Sequence, residues 1–309
     1  MTFGSLFAGI GGFDLGLERS GMTCMWQCEI DKYANQILKK HWPEVKKYED
    51  IKRLTNPEPV DLICGGFPCQ DLSMAGNRAG LAGQRSGLFF ELARIIDEIR
   101  PKWFVLENVP GLLSSKNGQD MQTVLETLVK LGYCIAYRVL DSRYFGVPQR
   151  RRRVFIVGSL GNTSSIKVLF ETDTKFQEKM ESGMVQSPTL LAARQVSNSG
   201  GTWCGGIVID TLIANGQVDN GGGTWAGGTV ISTLKARGAN TQSGIEYIKD
   251  DLGYRTLTPT ECEKLQGFPA NWTEDIPDSK RFKTLGNAVT VNVIEWIGKR
   301  IMEEKCFQD

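Results

Sequence analysis

The stretch DLICGGFPCQ at residues 61–70 constrains the fold more than any other part of this sequence. Its apolar residues at 61–64 predict a short buried strand, and the two glycines that follow end that strand. Pro68 then stiffens the turn and places Cys69 directly after it. We therefore expect Cys69 at a fixed point above the edge of a sheet, where a ligand can reach its sulfur.

Two other apolar runs also end in residues that are suited to chemistry. Residues 103–106 lead into the tripeptide ENV that begins with Glu107, and residues 2–6 lead into the glycine-rich turn FAGIGG at 7–12. Because the carboxyl ends of parallel strands meet at one edge of a sheet, the three motifs are expected to lie together. They predict a nucleophile, an acid and a cofactor loop at that edge.

The first 160 residues alternate strand and helix signals. Apolar residues at helical spacing mark one helix, and glycines that follow two other runs mark helix ends. This alternation predicts an α/β fold with a mostly parallel sheet that helices cover on both faces. The predicted strands are 2–6, 22–29, 61–64, 103–106 and 154–157, and the predicted helices are 13–20, 32–42, 88–99 and 121–131.

The composition changes after about residue 160. Residues 161–250 are rich in glycine, serine, threonine and asparagine, and they contain a repeat with a period of 22 residues. We expect short strands separated by glycine turns rather than a flexible linker, because tryptophans and β-branched residues favour strands. The repeated units are GGTW at 200–203 and 222–225, and Thr-Leu at 189–190, 211–212 and 233–234.

Regular structure is predicted again towards the end of the sequence. The tetrapeptide TPTE at 258–261 is a capping box with proline at the first helical position, so a helix is expected there. This helix should run to about Gln266 and end at Gly267. A last apolar helix at about 289–302 is expected to return to the first domain.

The overall composition is that of an ordinary soluble protein, with 23% charged residues, 41% hydrophobic residues and a net charge of +1. No apolar run reaches about 18 residues and no signal-peptide pattern is present, so we expect a cytoplasmic protein without a membrane partner. Eight cysteines without framework spacing fit reduced thiols. Cys24 and Cys28 lack a second pair, and His41 is the only histidine, which argues against zinc sites and a Ser-His-Asp triad.

The densest basic run is QRRRR at 149–153, directly before the predicted strand 154–157. Its charge alone is as compatible with a solvated edge as with a functional site. Alternation along a strand would send Arg151 and Arg153 to one face and the two arginines between and before them to the other.

The glycine loop favours a nucleoside-type ligand over a dinucleotide. The fingerprint G-x-G-x-x-G would require glycine at position 14, where Asp14 stands, and a Rossmann oxidoreductase is therefore disfavoured. Glu29 lies 20 residues after Gly9, at the end of the second strand, where its carboxylate could accept hydrogen bonds from both ribose hydroxyls. Asp50 and Ile51 could similarly hold the amino group and the face of an adenine.

Six motifs, taken in order, resemble those of the cytosine-C5 DNA methyltransferase family over about residues 1–159 and 254–300. The motifs are F-x-G-x-G-G, GFPCQ, ENV, Q-x-R-x-R, LQGFP and GNAV. The resemblance implies a Rossmann-like, S-adenosylmethionine-dependent methyltransferase fold with a smaller β-rich target recognition domain. It also implies a catalytic domain at 1–160 plus 286–309, a target recognition domain at 161–253 and a hinge segment at 254–285.

The same resemblance implies S-adenosylmethionine as the cofactor, S-adenosylhomocysteine as its product, and no metal. Ile30 stands where the family often has a tryptophan, which would weaken stacking on the adenine. Asn287 would brace the cofactor and the domain junction. The cofactor-binding residues that the resemblance implies are Phe7, Ala8, Gly9, Gly11, Gly12, Glu29, Ile30, Asp50, Ile51, Pro68, Leu88 and Asn287.

By resemblance, Cys69 is the nucleophile that adds to C6 of a cytosine rotated out of the duplex. Glu107 would hydrogen-bond N3 and the exocyclic amine, while Arg151 and Arg153 would position the base. A mobile clamp after Cys69 and the recognition segment would hold the DNA. The DNA-binding residues expected in this way are Gln70, Ser73, Arg78, Arg85, Gln149 and Thr233.

The expected partners are double-stranded DNA and a cognate restriction endonuclease in the same host, with the chain acting as a monomer in the bacterial cytoplasm. Methylation of RNA by the same chemistry is an alternative, as in the tRNA-directed branch of this family. The long recognition segment and Gln70 favour DNA. A DNA-binding relative without activity is a third alternative, which the intact Cys69, Glu107, Arg151 and Arg153 disfavour.

Overall fold

The computed structural model describes residues 1–68, 87–170, 200–204, 207–210, 224–225, 228–229, 231–232, 247–250 and 253–306, with the backbone alone at 200–255 and 305–306. The first ten strands in chain order are β1 (Thr2–Leu6), β2 (Thr23–Cys28), β3 (Lys46–Tyr48), β4 (Leu62–Gly66), β5 (Trp103–Asn108), β6 (Tyr133–Asp141), β7 (Gln149–Arg150), β8 (Arg152–Leu160), β9 (Gly200–Cys204) and β10 (Ile207–Asp210).

A nine-stranded sheet lies at the centre of the molecule, in the order β10-β9-β6-β8-β5-β4-β1-β2-β3. In the part of the sheet with the order β5-β4-β1-β2-β3, each strand is parallel to the next. β8 is antiparallel to both β5 and β6, so β6 points the same way as β5. The predicted Rossmann-like, mostly parallel sheet is therefore confirmed. The carboxyl ends of β1, β2, β4 and β5 share one side of this sheet, which we call the carboxyl edge.

Helices cover both faces of the sheet. On one face, α3 and α4 bury Leu92 and Val124 against the strands. On the other face, α1, α5 and α8 bury Leu17, Val168 and Ile294. The helices are α1 (Gly12–Arg19), α2 (Lys32–His41), α3 (Leu88–Ile99), α4 (Gln119–Lys130), α5 (Ser164–Leu169), α6 (Pro259–Leu265), α7 (Asp278–Asn287) and α8 (Val291–Cys306).

A third apolar cluster joins the C-terminal segment to the start of the chain. It packs Leu265 and Trp272, from α6 and the turn after it, against Ile10 of the glycine loop and Leu38 of α2. The capping box that precedes α6 is present, because the Thr258 hydroxyl accepts a hydrogen bond from the Glu261 N–H and the Glu261 carboxylate accepts one from the Thr258 N–H. Residues far apart in sequence therefore meet at the glycine loop.

Short strands occur in the repeat, as the sequence predicts. β9 pairs with β10 in one antiparallel hairpin, and β11 (Thr224–Trp225) pairs with β12 (Gly228–Thr229) in another. The GGTW unit at 200–203 lies in β9, and the last two residues of the second unit, Thr224 and Trp225, form β11. The remaining strands are β13 (Ile231–Ser232), β14 (Tyr247–Asp250) and β15 (Gly253–Thr256). In the described parts of the chain, no helix combines the length and apolar character that a bilayer crossing requires.

Candidate active site

The glycine loop leaves β1 at the carboxyl edge in a strained conformation. Phe7 has φ 54°, and Gly9 and Gly11 have φ 58° and 85°, all in the left-handed region. A non-glycine residue in this region costs about 1–3 kcal/mol, and such strain clusters at ligand-binding sites. A Cβ at Gly11 would lie 2.3 Å from the Trp42 ring, whereas a Cβ at Gly9 would meet no atom within 4 Å. The Trp42 ring therefore packs against the loop at Gly11, whereas the space next to Gly9 is open.

Glu29 holds this loop to the end of β2. One carboxylate oxygen accepts a hydrogen bond from the Gly9 N–H and the other accepts one from the Asp31 N–H, both at 2.8 Å. Burial raises the pKa of Glu29, and the two backbone donors oppose that rise. The neighbouring Ile30 side chain is 75% exposed, which is unusual for a large apolar residue. An open loop, a carboxylate and an exposed apolar side chain thus meet at one place.

The other predicted cofactor residues surround the same edge in different environments. Asp50 accepts a hydrogen bond from the Lys52 N–H at 3.0 Å, while the adjacent Ile51 is buried. Pro68 is exposed at the end of its turn, and Leu88 packs against the apolar core at the start of α3. Asn287 is exposed at the end of α7. The structure describes all twelve of the predicted cofactor residues, but their role as ligand contacts stays a prediction.

The ends of β4 and β5 are locked together beside Glu107. Gly66 lies opposite Glu107 in the parallel register, and a Cβ on Gly66 would be 3.0 Å from Glu107 Oε2. The Asn108 amide donates to the Phe67 carbonyl at 2.9 Å and is buried. Cys69 lies outside the described residues, as do Gln70, Ser73, Arg78, Arg85 and Thr233. Gly66 and Phe67, which precede Cys69 in the sequence, therefore lie beside Glu107 and Asn108.

Glu107 forms a largely buried ion pair with Arg153. The Arg153 Nε and Glu107 Oε1 atoms are 2.9 Å apart, and the two side chains are 15% and 12% exposed. Burial raises the pKa of Glu107, although the charges of Arg153 and Arg151 work in the opposite direction. Burial likewise lowers the pKa of Arg153, which Glu107 opposes. The acid form of Glu107 is thus more accessible than that of an ordinary carboxyl group.

Arg151 performs a bridging task that the sequence does not reveal. Its guanidinium donates to the carbonyls of Gly286 at 3.3 Å and Ala288 at 2.7 Å, which link α7 to α8. Its own N–H donates to Asp141 Oδ1 at 3.1 Å. Burial, followed by the charge of Arg153, lowers the pKa of Arg151 to about 9. The side chain therefore ties the C-terminal segment to the strand that carries Arg153.

We expect Arg151→Met to lower the free energy of unfolding by about 2–5 kcal/mol, because two buried carbonyl groups lose a charged donor. The matched control is Arg152→Met, since Arg152 is exposed one residue further along. That variant should stay within about 0.5 kcal/mol of the wild type. Urea denaturation of the three proteins measures both values. Equal stability of Arg151→Met and Arg152→Met would contradict the bridging task.

Gln149 is placed differently from its predicted role as a DNA contact. Its side chain is completely buried and its amide donates to the Leu265 carbonyl at 2.8 Å. The backbone of β7 pairs in parallel with β13, so Gln149 lies opposite Ile231 and Arg150 lies opposite Ser232. The Gln149 side chain thus supports α6 in this structure, while its backbone meets a strand that directly precedes Thr233 in the sequence.

Two residues near this edge have roles that the sequence does not predict. Asp141 caps the turn after β6 and accepts from the N–H groups of Arg143 and Arg151 at 3.3 and 3.1 Å. Trp272 donates its indole N–H to the Ile10 carbonyl at 2.9 Å. Neither residue stands in a pattern that distinguishes it in the sequence, because each acts on a partner that lies far away along the chain.

The central sheet, with the glycine loop and Glu107 at its carboxyl edge, has the Rossmann-like fold of the S-adenosylmethionine-dependent methyltransferases. A family model described as C-5 cytosine-specific DNA methylase matches residues 1–303. The chain therefore belongs to the C-5 cytosine-specific DNA methylases, which confirms the family that the six motifs indicate.

Curated relatives agree with this assignment. Type II methyltransferase M2.BsuMI from Bacillus subtilis (strain 168) is 35% identical over 312 residues, which cover 97% of this chain and 75% of the relative. Type II methyltransferase M.HpaII from Haemophilus parainfluenzae is 32% identical over 325 residues, which cover 98% of this chain and 89% of the relative. Both relatives are matched over most of their length, and the chain is accordingly an enzyme of this class.

Solved structures support the fold. A mutant of DNMT2 from Spodoptera frugiperda has a TM-score of 0.68 at 18% identity, covering 97% of this chain and 99% of that one. The Dnmt2 methyltransferase of S. pombe has a TM-score of 0.67 at 17% identity, covering 99% of both chains.

Proposed function

We propose that this chain transfers a methyl group from S-adenosylmethionine to C5 of a cytosine in a short specific sequence of double-stranded DNA. S-adenosylhomocysteine is the second product. The observation that carries the proposal is the buried Glu107–Arg153 pair, which lies beside the turn that leads to Cys69. The glycine loop stands on the same edge of the sheet, so a donor and a base can meet there.

The residues at the glycine loop fit S-adenosylmethionine. The space above Gly9 is open, and the Glu29 carboxylate beside it is already oriented by two backbone donors. In this proposal Glu29 accepts from the ribose hydroxyls, and the exposed Ile30 and the buried Ile51 offer apolar contacts to the adenine. When bound, this group supplies an electrophilic methyl on a sulfonium.

Glu107 and Arg153 act on the pyrimidine ring in the proposed reaction. The acid form of Glu107, which burial favours, donates a proton to N3 and accepts a hydrogen bond from the exocyclic amine. Electron density that enters the ring at C6 can then be held on N3. Arg153 fixes the Glu107 carboxyl group and offers its remaining N–H groups to the O2 atom of the base.

Cys69 supplies the electron pair in this proposal. Its thiolate forms a bond to C6. C5 would then take the methyl group, whose bond to the sulfonium sulfur would break and leave S-adenosylhomocysteine. Loss of the C5 proton to water, return of the N3 proton to Glu107 and departure of the thiolate from C6 then restore the aromatic ring and the enzyme. Because stacking blocks the ring face inside a duplex, the cytosine must first rotate out of the helix.

A recognition domain that follows the first part of the catalytic domain in the chain is proposed to contact the DNA bases. Arg300 donates to the carbonyls of Val168 and Phe170 at 2.6 and 3.0 Å, so α5 is fixed to α8. This packing favours a recognition domain that begins after residue 170 rather than at 161. Residues 73–85 are proposed to clamp the DNA, and Thr233 to contact a phosphate.

We also propose the wider setting that the Type II names of the relatives suggest. The chain would act as a monomer on the DNA of a bacterial host, in the cytoplasm. A restriction endonuclease with the same recognition sequence would be its partner in the host, because methylation would protect the host DNA from that enzyme.

The proposed function is tested by expressing the chain in cells that lack cytosine methylation. We expect bisulfite sequencing of cellular DNA to show protected cytosines at one short sequence, and to show none in cells that express Cys69→Ser. Protection found in RNA alone would move the substrate to RNA. Protection in neither nucleic acid, with folded protein present, would overturn the proposal.

A further inference from the structure

The glycine loop, residues 7–12, is the cofactor loop of the proposed function. It is held on two sides by different parts of the chain. On the sheet side, the Ala8 N–H donates to the Cys28 carbonyl at 3.1 Å and the Gly9 N–H donates to Glu29 at 2.8 Å. On the opposite side, the Trp272 indole N–H donates to the Ile10 carbonyl at 2.9 Å. Trp272 belongs to the turn between α6 and α7, so this second anchor comes from the C-terminal segment.

The indole that forms this anchor is held rigidly. Trp272 is 7% exposed, and its ring stacks on His41 with 3.5 Å between the ring centroids and 3° between the planes. The Trp42 ring meets it edge-on at 5.7 Å, and the Phe268 ring lies 5.4 Å away. The His41 Nε2 also donates to the Trp272 carbonyl at 2.9 Å. Aromatic contacts of this kind fix both the position and the tilt of the indole donor.

The acceptor needs such a donor because of its place in the loop. Ile10 stands between Gly9 and Gly11, whose φ values are 58° and 85°. Glycine exchanges readily between left-handed and right-handed conformations, so the peptide unit of Ile10 is flanked by two flexible joints. The buried Ile10 side chain holds one side of this peptide unit, and the hydrogen bond to its carbonyl group fixes how the unit is rotated between the two glycines.

We propose that Trp272 is a positioning residue for the cofactor loop and that it acts through the Ile10 carbonyl group to keep the loop in its ligand-binding conformation. The proposal rests on the proposed function, since it concerns binding of S-adenosylmethionine. Apparent affinity falls in proportion to the population of the competent conformation. Loss of the indole donor should therefore weaken cofactor binding, while Glu29 and the packed core keep the protein folded.

The test compares Trp272→Phe with Trp26→Phe. Phenylalanine at 272 keeps an aromatic ring in the cluster and removes the donor. Trp26 is a suitable control because it is fully buried and its indole also donates to a backbone carbonyl, that of Glu58, at 2.8 Å. The measurements are the Kd for S-adenosylhomocysteine by calorimetry, the melting temperature, and amide hydrogen exchange of residues 7–12 in the protein without ligand.

For Trp272→Phe we expect a Kd that is raised about fivefold to tenfold, which corresponds to ~1–1.4 kcal/mol at 25 °C. We also expect faster exchange of the loop amides and a kcat at saturating cofactor within about twofold of the wild type. Trp26→Phe should lower the melting temperature and leave the Kd and the loop exchange unchanged.

Four results would overturn the proposal, and the last of them would also overturn the proposed function. An unchanged Kd in Trp272→Phe, or an equal rise in both variants, would show that Trp272 only supports the core. Unchanged exchange of the loop amides would show that the indole does not control the loop. Wild-type protein that binds neither S-adenosylmethionine nor S-adenosylhomocysteine would overturn the proposed function itself.

Discussion

The Cys69→Ser variant is expected to lose methyl transfer to DNA by at least about 1000-fold and to keep its affinity for DNA. The substitution replaces sulfur with oxygen at nearly constant shape. A serine hydroxyl is a far weaker nucleophile at neutral pH than a thiolate, and loss of a nucleophile typically costs several powers of ten in rate. Transfer of labelled methyl groups measures the rate, and a gel shift in the presence of S-adenosylhomocysteine measures DNA binding.

Cys64→Ser is the matched control, because Cys64 lies on β4 five residues before Cys69 and is fully buried. Its thiol donates to the Gly4 carbonyl at 3.7 Å, and burial raises its pKa well above the usual range. This variant should lose about 1 kcal/mol of stability and keep its turnover. Turnover at the wild-type rate in Cys69→Ser would remove the covalent mechanism.

A trapped adduct offers independent evidence for the bond between Cys69 and C6. DNA that carries 5-fluorocytosine in the target sequence cannot lose a proton from C5, so the thiolate cannot leave. We expect a complex that survives denaturation with the wild-type protein and none with Cys69→Ser. Failure of the wild-type protein to form it on DNA that it binds would count against attack at C6.

Local patterns predicted most of the fold because the signals for its elements lie within a few residues. Helix α3 occupies 88–99, as its apolar spacing predicts, and the capping box before α6 forms as read from the sequence. Other boundaries shifted by a few residues. Helix α4 begins at Gln119 rather than at 121, because Gly118, with φ 89°, is the residue that precedes its first turn. Strand β5 continues beyond 106 through Glu107 and Asn108.

The parts of the site that depend on distant partners could not be predicted in the same way. The predicted alternation agrees with the exposure of Arg152 and with the burial of Arg151 and, largely, of Arg153, whereas Arg150 is half-buried rather than exposed. It does not show that Arg151 would reach the carbonyls of Gly286 and Ala288, more than 130 residues further on. The hydrogen bond from the Trp272 indole to the Ile10 carbonyl could not be predicted either, because it depends on how two distant segments pack.

A cysteine also departed from expectation. All eight cysteines were expected to be reduced, and Cys24, Cys28, Cys64 and Cys262 are indeed free thiols in the structure. Cys134, at the start of β6, is disulfide-bonded. Its spacing in the sequence gives no hint of this, because a disulfide depends on which residues the fold brings together.

The Glu107→Gln variant is expected to lower kcat by about 100-fold to 10,000-fold, which is the usual range for loss of a general acid. Glutamine has the same shape and can accept a hydrogen bond, but it has no proton to give to N3. Wild-type activity should fall as the pH rises through the pKa of Glu107, since the acid form is lost there. Burial raises that pKa, so the fall begins at a higher pH than for an ordinary glutamate. The residual activity of the variant should lack this dependence.

Glu263→Gln separates this chemical role from the loss of a buried ion pair. Glu263 is fully buried and pairs with Arg281 at 2.9 Å, much as Glu107 pairs with Arg153. Burial alone would raise the pKa of Glu263, but hydrogen bonds from Thr273 and Arg281 outweigh it and hold the pKa below the usual value. Both variants should unfold more easily, because each removes the carboxylate from a largely buried ion pair. Only Glu107→Gln should lose kcat at saturating cofactor and DNA, and an equal loss in both would refute proton donation by Glu107.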